Sequence, residues 1–221
     1  MNYEGTIKNG KKEGYGTEYT DSSHTIKLYE GSFVNGKRHG EGILYDIDNL
    51  RIYEGSFING KKSGIGKLYQ TLSYYSESKI LIYYGQFQND KRSGICKTFY
   101  KNTGVKSYRG QIKNGYAHGS GKKYNIEGEL TYIGEFQNGF LHGDGMIITT
   151  DYIICGKINK NVIKKAKLYL SNNESYHGIL NIKVGLLNLP SIEDLYNVIK
   201  DSIQPLNTND NYNIIIDKLL I

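Results

Sequence analysis

The sequence contains no tryptophan, two prolines and only two cysteines among its 221 residues. Two cysteines allow one disulfide at most, so the disulfide framework of a small secreted domain is excluded and an intracellular protein is expected. Apolar runs such as residues 214–216 and 219–221 are far too short to cross a bilayer. We therefore expect a soluble, cytoplasmic protein that either stays in solution or sits peripherally at a membrane.

Catalytic signatures are also absent from the sequence. There is no Gly-x-Ser-x-Gly, no Walker-type phosphate loop and no His-Glu-x-x-His. Cys96 and Cys155 lack the spacing of a zinc ligand set. The sequence thus predicts no catalytic residue, no metal site and no cofactor, and an enzyme is not expected.

Glycine and tyrosine are abundant instead, with 27 and 21 residues, and they recur in a fixed pattern. Six units begin with Tyr-x-Gly at intervals of 24 to 30 residues, and each carries Ile or Phe four residues and Asn six residues after its first Tyr. The units start at Tyr3, Tyr29, Tyr53, Tyr83, Tyr108 and Tyr132. Five of the six Asn are followed by Gly, and the fourth is followed by Asp90.

The pattern predicts one β-hairpin for each unit. Tyr, Gly and Phe at alternate positions lie on one face of an extended strand, and Asn-Gly supplies the positive φ angles of a tight hairpin turn. The returning strand begins with Gly-x-Gly, as at Gly40 and Gly42, where we expect an aromatic ring to lie over the glycines. A single hairpin cannot bury such an aromatic face, so the hairpins are expected to stack side by side in a solenoid.

The stretch YEGSFVNGKRHGEG, residues 29–42, resembles the MORN repeat, the membrane occupation and recognition nexus. The resemblance covers residues 3–148 and implies an all-β, elongated antiparallel sheet of stacked hairpins. We assign residues 1–150 to six such repeats and residues 151–189 to degenerate repeats that end the sheet. After Pro190, apolar residues at helical spacing predict a short α-helical C-terminal cap over residues 190–221, which either covers the sheet edge or docks a partner or a second copy.

Three histidines, His39, His118 and His142, occupy the same position of their units. Consecutive hairpins are about 10 Å apart, since each advances the sheet by two strands, whereas zinc ligands lie about 2.1 Å from the metal. His118 and His142 are therefore expected to be turn residues rather than metal ligands.

The residues that follow each turn are the best candidates for binding. In the first four units they are the basic pairs Lys11 and Lys12, Lys37 and Arg38, Lys61 and Lys62, and Lys91 and Arg92. In the fifth and sixth units the position becomes apolar, with Tyr116 in one unit and Phe140 and Leu141 in the other. Stacking would align the basic pairs as a ridge. Either these charges only interact with solvent at the hairpin tips, or they attract an anionic surface.

Two functions follow as hypotheses. The first is a scaffold that binds a protein partner through the apolar tips Tyr116, Phe140 and Leu141 or through the C-terminal helices. The second, implied by the family resemblance, is peripheral binding to anionic, phosphoinositide-type lipid through the basic ridge. A nucleic-acid partner is not expected, because the aromatic residues are committed to packing, and a homodimer stays open.

Overall fold

The computed structural model describes residues 2–71 and 79–171, without the side chains of Lys164 and Lys165, and the backbone of three short strands beyond residue 174. The described chain contains strands, turns and bends but no helix. It divides into two compact units, which are residues 1–115 with 126–128 and residues 116–125 with 129–221. We call them unit 1 and unit 2 and describe each separately.

Unit 1 is an antiparallel sheet in which every strand pairs with the next strand along the chain. Its strands are β1 (Tyr3–Lys8), β2 (Lys11–Tyr19), β3 (Lys27–Val34), β4 (Lys37–Tyr45), β5 (Arg51–Ile58), β6 (Lys61–Thr71), β7 (Lys79–Gln88), β8 (Lys91–Phe99) and β9 (Lys106–Lys113). The Asn of each turn has a positive φ, for example 52° at Asn35, and is followed by a second positive φ at Gly36, 80°. The sequence prediction of an all-β antiparallel sheet of stacked hairpins is confirmed.

One face of unit 1, which we call the inner face, holds the repeated aromatic residues. The Tyr29 ring is fully buried and lies against Gly31 on its own strand and Gly42 on the next one. The Tyr29 hydroxyl donates a hydrogen bond of 3.1 Å to the carbonyl oxygen of Ser32. Phe57 of the following hairpin packs edge-on against Tyr29, with ring centroids 5.1 Å apart. Successive hairpins are therefore joined by a chain of ring contacts.

Unit 2 contains the remaining strands. They are β10 (Tyr116–Tyr124), β11 (Leu130–Gln137), β12 (Phe140–Ile148), β13 (Tyr152–Asn159), β14 (Val162–Leu170), β15 (Ser175–Gly178), β16 (Ile182–Lys183) and β17 (Ile203–Pro205). Neighbouring strands from β10 to β15 pair antiparallel in chain order. Strand β16 pairs with β14, and β17 pairs with β15.

The first part of strand β13 is buried on both faces. Tyr152, Ile153 and Ile154 are consecutive and all buried, although neighbouring residues of a strand point to opposite sides of the sheet. On the side opposite Ile154, Ile153 forms a cluster with Ile148 and Tyr169. This region, predicted as degenerate repeats over residues 151–189, thus differs from unit 1, where buried residues alternate with exposed or half-buried ones along strands such as β3 and β5.

The predicted C-terminal helices lie largely outside the described residues. Of residues 190–221 the structure describes only the backbone of Ile203–Pro205, which is a short strand at the end of the first predicted helix. None of the residues that the structure describes belongs to a helix that is long and apolar enough to cross a membrane.

Candidate functional site

The hairpin tips carry the residues that the sequence singles out, and strand alternation divides each basic pair. The first residue of a pair, as Lys37, lies opposite Val34 at the end of the hairpin, and the second, Arg38, lies opposite Phe33 of the inner face. Because neighbouring residues point to opposite sides of a sheet, the two members of each pair have different surroundings.

The second member of each basic pair covers an aromatic ring of the inner face. All four are half-buried, and we call them the ring-covering cations. The distances from the cation to the ring centroid are 5.0 Å for Lys12 on Tyr3, 4.8 Å for Arg38 on Tyr29, 5.0 Å for Lys62 on Tyr53 and 5.5 Å for Arg92 on Tyr83. A cation within about 6 Å of a ring centroid is attracted by the ring, so these side chains stabilise the core.

The backbone of the ring-covering cations also holds the next hairpin in place. The amide of Gly36 donates to the carbonyl oxygen of Lys12 at 2.9 Å, and the amide of Gly60 donates to that of Arg38 at 2.8 Å. The amide of Asp90 makes the same contact with Lys62 at 3.0 Å. Each turn is thereby fixed to the preceding hairpin at the position of the second basic residue.

Glu18 adds a local ion pair between two of these cations. Its carboxylate lies 2.5 Å from the Lys12 ammonium and 2.7 Å from the Arg38 guanidinium. Burial alone would raise the pKa of Glu18, but the hydrogen bonds and charges of Lys12 and Arg38 outweigh burial and hold it below its usual value. Burial lowers the pKa of Lys62, and the nearby charge of Asp90, which acts in the opposite direction, does not outweigh it.

The first members of the pairs remain available to solvent. Lys11, Lys37, Lys61 and Lys91 are all exposed, and we call them the tip lysines. Across the part of the chain that the structure describes, no tip lysine forms an ion pair. Of the eight basic residues predicted as a binding ridge, four therefore cover aromatic rings and four face solvent.

The apolar tips follow the same rule of alternation. Tyr116 is 62% exposed and Phe140 is 45% exposed, whereas Leu141 is only 4% exposed. The expectation that Leu141 is an exposed tip is wrong, because Leu141 occupies the second position and lies opposite Phe136 on the inner side of β12. Its backbone amide is also held by the Asn161 side chain at 2.7 Å. We call Tyr116 and Phe140 the aromatic tips.

The three histidines of the repeated position are half-buried residues on strands β4, β10 and β12, so the expectation of turn residues is wrong. The Nδ1 atoms of His39, His118 and His142 are buried and have no hydrogen-bond partner among the described residues. Within residues 2–71 and 79–171, no three potential ligands come together in a group that suits a metal ion.

Comparison with known proteins agrees with the geometry of the hairpins. A family model described as the MORN repeat matches the chain six times, at residues 3–24, 29–51, 53–71, 83–105, 108–125 and 132–151. These matches cover more than half of the chain. A search of curated proteins finds no match.

Proposed function

Because this chain belongs to the MORN repeat family, whose repeats are protein and lipid interaction modules, we propose that it is a non-catalytic scaffold that binds a protein partner at its hairpin tips. The observation that carries the proposal is the exposure of the aromatic tips, Tyr116 and Phe140. They occupy the position that carries a lysine in the first four repeats. The Tyr116 ring packs near the Gly139 turn, beside the hairpin that bears Phe140.

Exposed aromatic residues support a protein contact because they combine a large apolar area with few rotatable bonds. Aromatic residues are also enriched at the centres of protein interfaces and dominate their energetics. Removing such an anchor typically weakens binding by about 2 kcal/mol or more. The tips thus offer the chemistry of an interface anchor.

The test compares the proteins recovered with the tagged whole chain from its native cells, quantified by mass spectrometry. The variant Tyr116→Ser with Phe140→Ser is expected to lose one or more specific proteins, each of which is then tested for direct binding with purified components. Ile47→Ser is the control, because Ile47 is 73% exposed but belongs to the connection between β4 and β5 rather than to a hairpin tip. Recovery of the same proteins at the same level with both variants overturns the proposal.

The tip lysines favour a second candidate function, peripheral binding to an anionic membrane. Lys11, Lys37, Lys61 and Lys91 occupy one position in four consecutive hairpins and have no acidic partner among the described residues. A cation close to an anionic bilayer contributes on the order of 1 kcal/mol, and neighbouring hairpins are about one Debye length apart. Four such lysines in a row would reinforce one another.

Flotation with vesicles that contain phosphatidylserine and a phosphoinositide tests this candidate. Changing the four tip lysines to Glu is expected to abolish flotation, and changing them to Arg, which keeps the charge, is expected to preserve it. Equal flotation of the Glu and wild-type proteins would exclude a role of the tip lysines in lipid binding.

A further inference from the structure

The face of unit 1 opposite the buried rings, which we call the outer face, carries a row of side chains in direct cross-strand register. Across strands β5 to β9 the row runs Glu54, Lys67, Tyr84, Lys97 and Arg109. The row continues a pattern from the earlier hairpins, in which every first strand contributes a glutamate, Glu4, Glu30 or Glu54. In β7 and β9 this acidic position is taken by Tyr84 and Arg109.

The glutamates of the earlier hairpins form hydrogen bonds or ion pairs with neighbouring side chains. Glu30 accepts hydrogen bonds from the Tyr15 hydroxyl at 3.0 Å, the Tyr45 hydroxyl at 2.9 Å and the Lys27 ammonium at 2.9 Å. Glu54 likewise binds the Arg51 guanidinium at 3.1 Å. Glu30 and Glu54 therefore each pair with a cation of their own hairpin.

The loss of the acid in β7 and β9 leaves Lys97 and Arg109 directly opposite one another. Both side chains are exposed, and neither forms an ion pair in the part of the chain that the structure describes. Like charges directly opposite on neighbouring strands destabilise a sheet. The repulsion between these two cations is thus expected to lower the stability of unit 1. The cations of β3 to β6 differ, because Lys27, Arg51 and Lys67 are paired with Glu30 or Glu54.

An apolar hollow lies beside the two cations. It has a volume of about 210 Å³, and its lining includes Ile65, Tyr84, Ile95, Lys97 and Arg109. Ile65 is 48%, Tyr84 40% and Ile95 65% exposed, so three large apolar side chains face solvent together. Sites for small molecules usually measure about 300–1,000 Å³, so this hollow suits one or two side chains of a polypeptide better.

We propose that this surface, formed by Ile65, Tyr84, Ile95, Lys97 and Arg109, docks an acidic segment of a protein partner that carries an aliphatic or aromatic residue next to its carboxylates. The carboxylates pair with Lys97 and Arg109, and the apolar residue enters the hollow. A second copy of this chain fits less well, since the acids of its own outer face already have partners: Glu30 and Glu54 pair with Lys27 and Arg51, and Glu4 contacts Tyr19 and His24. A phosphate backbone or lipid headgroup would leave the apolar hollow unfilled.

This inference names a partner chemistry for the proposed scaffold but uses a surface separate from the hairpin tips. Its test therefore changes only the outer face. A phage-displayed library of random peptides is selected against the whole purified chain, and the affinities of the selected peptides are measured for three variants. These are Lys97→Glu with Arg109→Glu, Ile65→Ser with Ile95→Ser, and, as a control with the same change in charge, Lys11→Glu with Lys37→Glu.

Selected peptides are expected to place Asp or Glu beside a large apolar residue. Their affinity should fall about tenfold or more for both outer-face variants, because one removes the charge-assisted hydrogen bonds to the peptide carboxylates and the other removes apolar side chains of the hollow. Their affinity should stay unchanged for the tip-lysine control. Thermal unfolding of each variant shows that it is folded. Peptides that are neutral or basic, or that bind all variants equally, overturn the proposal.

Two further outcomes would assign the binding to a membrane or to the hairpin tips instead. In the first, no acidic peptide is selected, and phosphatidylserine vesicles bind the wild type but not the Lys97→Glu, Arg109→Glu variant. This result would overturn the acidic segment and identify a membrane as the ligand of the outer face. Acidic peptides that lose affinity only for the tip-lysine control would locate the contact at the hairpin tips and overturn the outer-face site.

Discussion

The guanidinium carbon of Arg38 lies 4.8 Å from the centroid of the Tyr29 ring, which itself rests on Gly42. Arg38, the sequence neighbour of Lys37, thus covers a buried aromatic ring. The same arrangement recurs with Lys62 on Tyr53 and Arg92 on Tyr83. Half of the basic ridge therefore stabilises the sheet.

We expect Arg38→Ala to destabilise the protein by about 1–3 kcal/mol. The change removes a partly desolvated cation–ring contact, and it leaves the half-buried Glu18 with one cationic partner fewer. Lys37→Ala, at the neighbouring exposed tip, is expected to stay within about 0.5 kcal/mol of wild type. Chemical denaturation of both variants measures the difference, and equal stabilities would contradict the structural role of Arg38.

Gly42→Ala is expected to be strongly destabilising because the added methyl group would overlap the Tyr29 ring. Overpacking of this kind costs about 1–3 kcal/mol or more. In the background of Tyr29→Leu the ring is gone, so the same change should cost much less. A double-mutant cycle measures this coupling, and additive effects would show that the ring and the glycine act independently.

Glu18 predicts a specific loss of stability in acid. Its pKa is lower in the folded protein than in the unfolded chain, so its contribution is present above the unfolded value of about 4.3 and is lost as the pH falls through the lower folded value. The free energy of unfolding should therefore fall more steeply below about pH 4 in the wild type than in Glu18→Gln. Denaturation at a series of pH values tests this, and parallel curves would refute it.

Leu141 and Phe140 are neighbours with opposite expected effects. Leu141→Ala should cost about 2–5 kcal/mol, since Leu141 is 4% exposed and its truncation leaves a cavity. Phe140→Ala should change stability little because Phe140 is 45% exposed, yet it should weaken binding of a partner at the tips. Thermal unfolding separates the two, and a larger loss for Phe140→Ala would reverse the assignment.

The sequence was sufficient to predict the hairpin, its turn and the stacking of the repeats. Tyr29, Gly31 and Phe33 alternate along one strand, and Asn35 with Gly36 requires positive φ angles, so local chemistry alone specifies the unit. The candidate site was predicted only in part. Strand alternation places the two members of each pair, Lys37 with Arg38 and Phe140 with Leu141, on opposite sides of the sheet, but which side is covered depends on the tertiary structure.

The outer-face surface was not predicted, because its residues come from strands far apart in the sequence. Ile65 and Ile95 lie thirty residues apart, and only the register of β6, β7 and β8 brings them to one hollow with Lys97. The meeting of Lys97 with Arg109 likewise depends on the pairing of β8 with β9.

By itself, the sequence determined the repeating unit, because glycine, asparagine and aromatic residues act on the backbone within a few residues of themselves. Only the tertiary structure decided which cations cover rings and which face solvent, as Arg38 and Lys37 show, and that β13 is buried on both faces around Ile153. The physical reason is that burial and charge pairing depend on what lies across the sheet. Neighbours across a sheet are set by strand register rather than by distance along the chain.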